Sequence, residues 1–186
     1  MSFRESISKL SLKNIRTHKQ NSRPPAFLCK EIARLWPRHQ ALEILILDGG
    51  DGTMIHQLLN AINNTSMLIG YTMDQEYYRK ISDTPDPQAR IEWISGQYPD
   101  QFVQAKEIST ADYIISNIDF KNMPEVQSSK WIQEICEKLK PGSIYIQVQY
   151  TSLDKKLYER IFNPVKVKFV PFNIPPAFLL VMEKKI

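Results

Sequence analysis

The sequence predicts an α/β fold: a doubly wound, mostly parallel seven-stranded sheet that ends in an antiparallel C-terminal strand pair. Three observations carry this reading. Short apolar runs of strand length alternate with stretches of helical periodicity through the first five strands. The last two apolar runs are separated only by a short Pro-rich turn, so they pair antiparallel. The chain has 186 residues, 42% apolar and 24% charged, which suits a single globular core rather than a disordered or fibrous chain.

The elements follow in order. Arg23-Pro24-Pro25 ends an N-terminal arm, because a residue before proline is pushed out of the helical region. Pro25 opens a helix expected to run to Trp36, where Pro37 stops it. Leu42–Leu47 is a buried strand, and Thr53–Ile62 a helix with Ile55, Leu58, Leu59 and Ile62 at helical spacing. Met67–Thr72 is the second strand, Gln75–Ile81 a helix, Ile91–Ile94 the third strand and Asp112–Ser116 the fourth. Glu125–Leu139 is a long helix with Trp131, Ile132, Ile135 and Leu139 on one face, stopped by Lys140-Pro141-Gly142. Ile144–Tyr150 is the fifth strand and Leu153–Ile161 a helix. Val165–Val170 and Phe178–Met182 form the closing pair.

Charge is concentrated at one end. The whole chain carries +4, yet residues 1–23 hold Arg4, Lys9, Lys13, Arg16, Lys19 and Arg23 against Glu5, a local balance of +5. Such an arm suits a polyanion, either an anionic lipid surface or a nucleic-acid backbone. Phe3, Ile7 and Leu10 share one helical face with basic residues elsewhere on the wheel, the pattern of an interfacial helix. A helix packed on its own domain, with a solvated basic face, fits the same pattern. Mean hydropathy is −0.34, and no apolar run approaches the roughly 20 residues of a membrane span. Charges through the first twenty residues break any signal-peptide core. Cys29 and Cys136 make no disulfide framework and no C-x-x-C pair. The expected location is the cytoplasm or the cytoplasmic face of the membrane. His18, His39 and His56 are scattered, so no metal is expected.

The first strand runs into Asp48-Gly49-Gly50-Asp51-Gly52-Thr53 and then into a helix. Three of the chain's six glycines lie in that loop, and they let bare backbone approach a ligand beyond the carboxyl ends of the strands. A tight turn without a ligand is the plainer alternative. A triphosphate loop would need Gly-Lys-Ser/Thr, whereas Gly52 is followed by Thr53 and Met54. A dinucleotide loop would need a glycine where His56 stands. An acidic residue leading the glycines, with no phosphate to neutralise, suits S-adenosylmethionine. That cofactor carries an ammonium and a sulfonium, and Asp48 lies where the amino-acid moiety would be.

Four segments together resemble a known family. Leu47-Asp48-Gly49-Gly50-Asp51-Gly52-Thr53 is similar to E-x-G-x-G-T-G. Ala111-Asp112-Tyr113-Ile114-Ile115-Ser116-Asn117-Ile118-Asp119-Phe120, with Met123-Pro124 after it, is similar to A-D-x-x-x-S-G-L-P-x and a downstream M-P. Tyr145-Ile146-Gln147-Val148-Gln149-Tyr150 resembles an aromatic, Gln-containing fifth strand. Phe172-Asn173-Ile174-Pro175-Pro176-Ala177 resembles a closing N-L-P-P-A. The ordered set, over roughly residues 26–184, resembles class I methyltransferases. More narrowly, it resembles the bacterial phospholipid N-methyltransferases that methylate phosphatidylethanolamine. The resemblance implies a Rossmann-like methyltransferase domain over 25–186, and the basic, amphipathic pattern of the arm over 1–24 suits docking of that domain on an anionic membrane.

The resemblance also implies roles. The loop Asp48, Gly49, Gly50 and Gly52 would hold the cofactor. The family's ribose-binding acid falls on Thr72, with Asp74 two residues late, and its adenine contact falls on Gln97. The third loop glycine falls on Met54. A hydroxyl at 72 in place of a carboxylate removes a charged acceptor, which predicts cofactor binding weaker by about 1.5–3 kcal/mol. Asn117 would orient the acceptor amine and Asp119, where the family has proline, would take its proton or offset its charge. Tyr150 and Phe120 would offer aromatic faces to a methylated ammonium. Asp119 as a turn residue and Tyr150 as a core residue are the structural alternatives. Two other functions stay open here. Asn117-Ile118-Asp119-Phe120 is also similar to the N-L-P-Y loop of rRNA adenine dimethylases, although the sequence is not expected to hold that family's helical RNA domain. The departures at Met54, Thr72 and Gln97 also suit a non-catalytic binding protein built on the same fold.

Overall fold

A computed structural model describes residues 26–37, 39–48, 53–62, 65–72, 78–79, 91–95, 110–150 and 153–185. Helix α1 (Ala26–Ala33) leads to strand β1 (Glu43–Asp48), helix α2 (Thr53–Leu59), β2 (Met67–Thr72), β3 (Ile91–Ser95) and β4 (Ala111–Ser116). A 3-10 turn (Phe120–Asn122), helix α3 (Glu125–Lys138), β5 (Leu139–Gln149), helix α4 (Lys156–Glu159), β6 (Val165–Val170) and β7 (Ala177–Glu183) complete the chain. The seven strands form one sheet in the order β3-β2-β1-β4-β5-β7-β6. Strands β1 to β5 pair parallel, β7 opposes β5, and β6 opposes β7. The expected seven-stranded α/β sheet with its antiparallel closing pair is therefore the observed one. Strand β7 alone runs against the rest.

The central strands are buried on both faces, which explains why β1 reads as an apolar run over Ile44–Leu47 rather than an alternating one. Successive side chains point to opposite faces. Leu45 and Leu47 join Trp131, Ile132 and Ile135 of α3, together with Tyr71, Tyr145, Tyr158 and Phe162. Ile44 and Ile46 join Leu28 and Ile32 of α1, and Met54, Ile55 and Leu58 of α2. Rings meet edge-on where the large side chains converge, Tyr71 on Trp131 at 5.9 Å between centroids and Trp36 on Tyr113 at 6.2 Å.

Several boundaries differ from the sequence reading. Helix α1 ends at Ala33 and tightens, with Leu35 N–H donating to Ile32 O at 2.9 Å and Trp36 N–H to Ala33 O at 3.2 Å. The proline at 37 bars Trp36 from a further α-turn, so the end closes with i to i+3 bonds. Helix α2 ends at Leu59, short of Ile62. The Lys140-Pro141-Gly142 stop does end α3, but no loop follows. Gly142 adopts φ +78, which its missing Cβ permits. The chain continues directly as β5, with Ala111 opposite Leu139 and a register shift before Tyr113. The predicted helix over Leu153–Ile161 shrinks to Lys156–Glu159, then turns, with Phe162 N–H donating to Tyr158 O at 2.8 Å. The expected arm over 1–24 and most of the expected helix Gln75–Ile81 lie outside the described residues; Tyr78 and Arg79 are helical.

Candidate functional site

Beta strands β2 and β3 extend the sheet to one side of β1, and β4 and β5 to the other. The carboxyl ends of β1 and β4 therefore flank the point where the strand order reverses, the usual ligand crevice of such sheets. The register aligns what arrives there. Asp48 pairs with Thr72, and Thr72 with Ser95, so the segments leading to the glycine loop, to Asp74 and to Gln97 leave the sheet in one row. Leu47 pairs with Ser116, and the Asn117 N–H donates to Leu47 O at 3.2 Å, carrying the β1–β4 ladder one residue further. Asn117 is thereby fixed beside the end of β1.

Thr72 is fully buried. Gly49, Gly50, Gly52, Asp74 and Gln97 lie outside the described residues, and Asp48 is described as the last residue of β1. Met54, standing where the resembled family has glycine, is 1% exposed within the core on the α1–α2 face.

The loop after β4 is held from beneath by a buried polar network. Ser116 Oγ accepts from the Ile118 N–H at 3.1 Å. Gln147 Nε2 donates to Ile118 O and to Val148 O, both at 3.0 Å. The Tyr145 hydroxyl donates to Gln147 Oε1 at 2.5 Å and also bonds Ser116. Ser116, Tyr145 and Gln147 are all at or below 1% exposure, so each bond replaces water that cannot enter. Burial pushes the Tyr145 hydroxyl well above the ordinary phenol range. These positioning residues were visible in the sequence only as polar letters inside apolar strand runs, and a polar side chain in a doubly covered sheet has to be bonded.

Asp119 is half-buried and its Oδ2 accepts from Asn122 Nδ2 at 2.6 Å across the 3-10 turn. Its charge, with that of Asp154, adds to the burial that raises the Tyr158 hydroxyl, which also shares a hydrogen bond with Gln149. Gln149 Oε1 in turn accepts from the Asp154 N–H at 3.1 Å, tying the end of β5 to the α4 segment. Phe120 corrects an expectation: it is 2% exposed and tilts against Trp131 at 6.3 Å, a core ring on the α3 face. Tyr150 is half-buried just past β5 and packs against the opposite, α1–α2 cluster. The Met123-Pro124 pair is structural, Met123 in the core and Pro124 starting α3 by accepting from the Ser128 N–H at 3.0 Å. A cavity of about 540 Å³ lies at the other end of the sheet, between Lys30, Arg34, Trp36, Leu42, Ala61 and Ile62.

No family model matches the chain. An ornithine lipid N-methyltransferase of Singulisphaera acidiphila is 21% identical over 154 residues, covering 81% of this chain and 80% of that protein. Among solved structures, the N-methyltransferase NodS from Bradyrhizobium japonicum, in complex with S-adenosyl-L-homocysteine, superposes with TM-score 0.65 at 10% identity. That match covers 95% of this chain and 97% of NodS. TrmN from Thermus thermophilus gives TM-score 0.64 at 15% identity over 86% of this chain, which spans about half, 48%, of TrmN. The fold is that of the S-adenosylmethionine-dependent class I methyltransferases, and the sequence is similar to a lipid N-methyltransferase.

Proposed function

We propose that this chain is an S-adenosylmethionine-dependent N-methyltransferase whose acceptor is the primary amine of a lipid head group, phosphatidylethanolamine in the first instance. The observation that carries the proposal is the similarity to an ornithine lipid N-methyltransferase over 81% of the chain. The rim at the strand-order reversal supports it, because that rim is where this fold holds a ligand.

The donor set at the rim fits the cofactor by chemistry: a carboxylate at Asp48, a buried hydroxyl at Thr72, and a loop rich in glycine. When bound, S-adenosylmethionine supplies an electrophilic methyl group on a sulfonium. Asp48 and the backbone of Gly49, Gly50 and Gly52 would hold its amino-acid end, Thr72 and Asp74 its ribose, and Gln97 its adenine. For an in-line displacement, catalysis is mainly placement of a neutral amine against the methyl carbon. Asn117, pinned to Leu47, orients that amine. Asp119 accepts the proton the nitrogen sheds, or offsets its charge. Tyr150 offers a ring face to the methylated ammonium, worth about 0.5–2 kcal/mol. The basic arm over 1–24 brings the chain to an anionic bilayer.

The test is a titration of S-adenosylmethionine followed by methyl transfer to phosphatidylethanolamine vesicles. Micromolar binding with label entering the lipid is the expected result, and Asp119→Asn should cut the rate tenfold or more while leaving cofactor affinity unchanged. Normal cofactor binding without label in any amine lipid rejects the lipid assignment. Failure to bind the cofactor favours the non-catalytic reading.

A further inference from the structure

Strand β6 opposes β7, which opposes β5, so β6 runs in the same direction as β1. The β6–β7 turn, residues 171–176, therefore leaves the sheet at the carboxyl end, on the same rim as Asp48, Thr72 and Asn117. At its tip Phe172 is 75% and Ile174 79% exposed. Between them Asn173 is 1% exposed and clamps the turn. Its Nδ2 donates to Pro175 O at 2.5 Å, and its N–H to Val170 O at 3.3 Å. Pro171, Pro175 and Pro176 restrict the backbone further. A buried amide flanked by two outward apolar side chains, in a proline-stiffened turn, holds both of them in water. Large apolar side chains held out together mark a surface that meets something apolar.

Two further observations identify what that is. Phe27, near the start of α1, meets Phe172 edge-on with 5.7 Å between ring centroids. The residues that precede α1 carry the +5 balance of positions 1–23, so the most basic stretch of the sequence joins the fold beside the apolar tip. Lys168, two residues before the end of β6, is ion-paired to Glu31 Oε2 at 2.5 Å and adds no net charge there, so the positive charge at the tip is that of the stretch preceding α1. Apolar side chains next to concentrated positive charge match the two layers of an anionic bilayer surface, acyl boundary and head groups.

We propose that the β6–β7 tip is a membrane wedge, inserting Phe172 and Ile174 into an anionic lipid surface so that the strand-reversal rim faces the bilayer. The inference deepens the lipid-amine reading, since the bilayer is where such a substrate lies, but its test does not need catalysis. The full chain is sedimented with vesicles of phosphatidylglycerol and phosphatidylcholine, and with vesicles of phosphatidylcholine alone. The wild type should bind the anionic vesicles. The double variant Phe172→Ser/Ile174→Ser should lose about tenfold or more in affinity, with an unchanged thermal midpoint and unchanged S-adenosylmethionine affinity. Met67→Ser, on an apolar side chain 40% exposed at the opposite end of the sheet, should bind like the wild type. A folded double variant that binds as tightly as the wild type overturns the proposal. So does a wild type that ignores anionic vesicles, or a wild-type dimer in sedimentation velocity that the double variant dissolves, which would assign the tip to a second copy. Vesicle binding lost in the double variant, with no methyl entering lipid in either protein, upholds the wedge and rejects the substrate.

Discussion

Gln147 does at one residue what the candidate site needs most, a fixed place for the loop that follows β4. It satisfies the Ile118 carbonyl with Nε2 and the Tyr145 hydroxyl with Oε1 in a position 1% exposed. Gln147→Leu keeps the volume and removes these two bonds and the one to Val148 O. A buried group left without its partner costs about 1–3 kcal/mol, so urea denaturation should show a loss of about 2 kcal/mol. Adding Tyr145→Phe should cost less than the two single changes summed, because each single change already breaks the Tyr145–Gln147 bond. Additive losses would show that the two side chains do not act together.

At the scale of elements, α3 is the cover of one sheet face. Trp131, Ile132 and Ile135 recur at helical spacing and all three are fully buried. Trp131 meets both Tyr71 of β2 and Phe120 of the loop after β4, so it joins the helix to the sheet and to the segment leading from Asn117. Trp131→Ala should cost about 3–5 kcal/mol, and lower the thermal midpoint by roughly 6–20 °C. A loss under about 1 kcal/mol would mean that the cavity collapses and that α3 is not held through this side chain. The opposite cover, α1, reaches across to the edge strand through Glu31, whose carboxyl accepts from Lys168 and pairs with Arg34. The Lys168 hydrogen bond leads the causes that hold Glu31 below its ordinary value.

For the whole molecule the buried phenols set an alkaline limit. Burial raises the Tyr145 and Tyr158 hydroxyls in the folded state, whereas in the unfolded chain they ionise near pH 10. Above that pH the unfolded state holds fewer protons than the folded one, so stability falls as pH rises. Their contribution is intact below pH 10. Beyond it each phenol removes about 1.4 kcal/mol per pH unit, roughly 2.7 for the pair. Urea midpoints taken from pH 8 to 11.5 should show this fall, and Tyr145→Phe with Tyr158→Phe should flatten it; an unchanged slope would refute the assignment.

Much of this architecture was written locally. The run Leu42–Leu47 is apolar at every position but Glu43, and its length and flanks are those of a strand covered on both faces. Strand β2 and strand β6 begin and end where their turn residues put them. The rim was legible too, since a glycine loop after the first strand of such a sheet lies beside the reversal of strand order. Local signals failed where long-range pairing won. Pro141 and Gly142 read as a break, yet the backbone runs through them as β5: Leu139 pairs with Ala111 before them, Ile144 with Tyr113 after them across a register shift, and the Gly142 N–H donates to Lys184 O at 2.9 Å. Phe120 read as a ring free to meet a ligand, and Trp131, eleven residues on, claims it.

The sequence by itself determined the alternation of strands and helices, the antiparallel ending and the ends of the second and fourth strands at Thr72 and Ser116, because periodicity and turn chemistry act over a few neighbours. Only the tertiary structure decided that Ser116, Tyr145 and Gln147 close on one another under Ile118, or that Asn173 turns inward while Phe172 and Ile174 face water. Those arrangements depend on which strands lie side by side, and a hydrogen bond between positions 118 and 147 has no local signal to announce it.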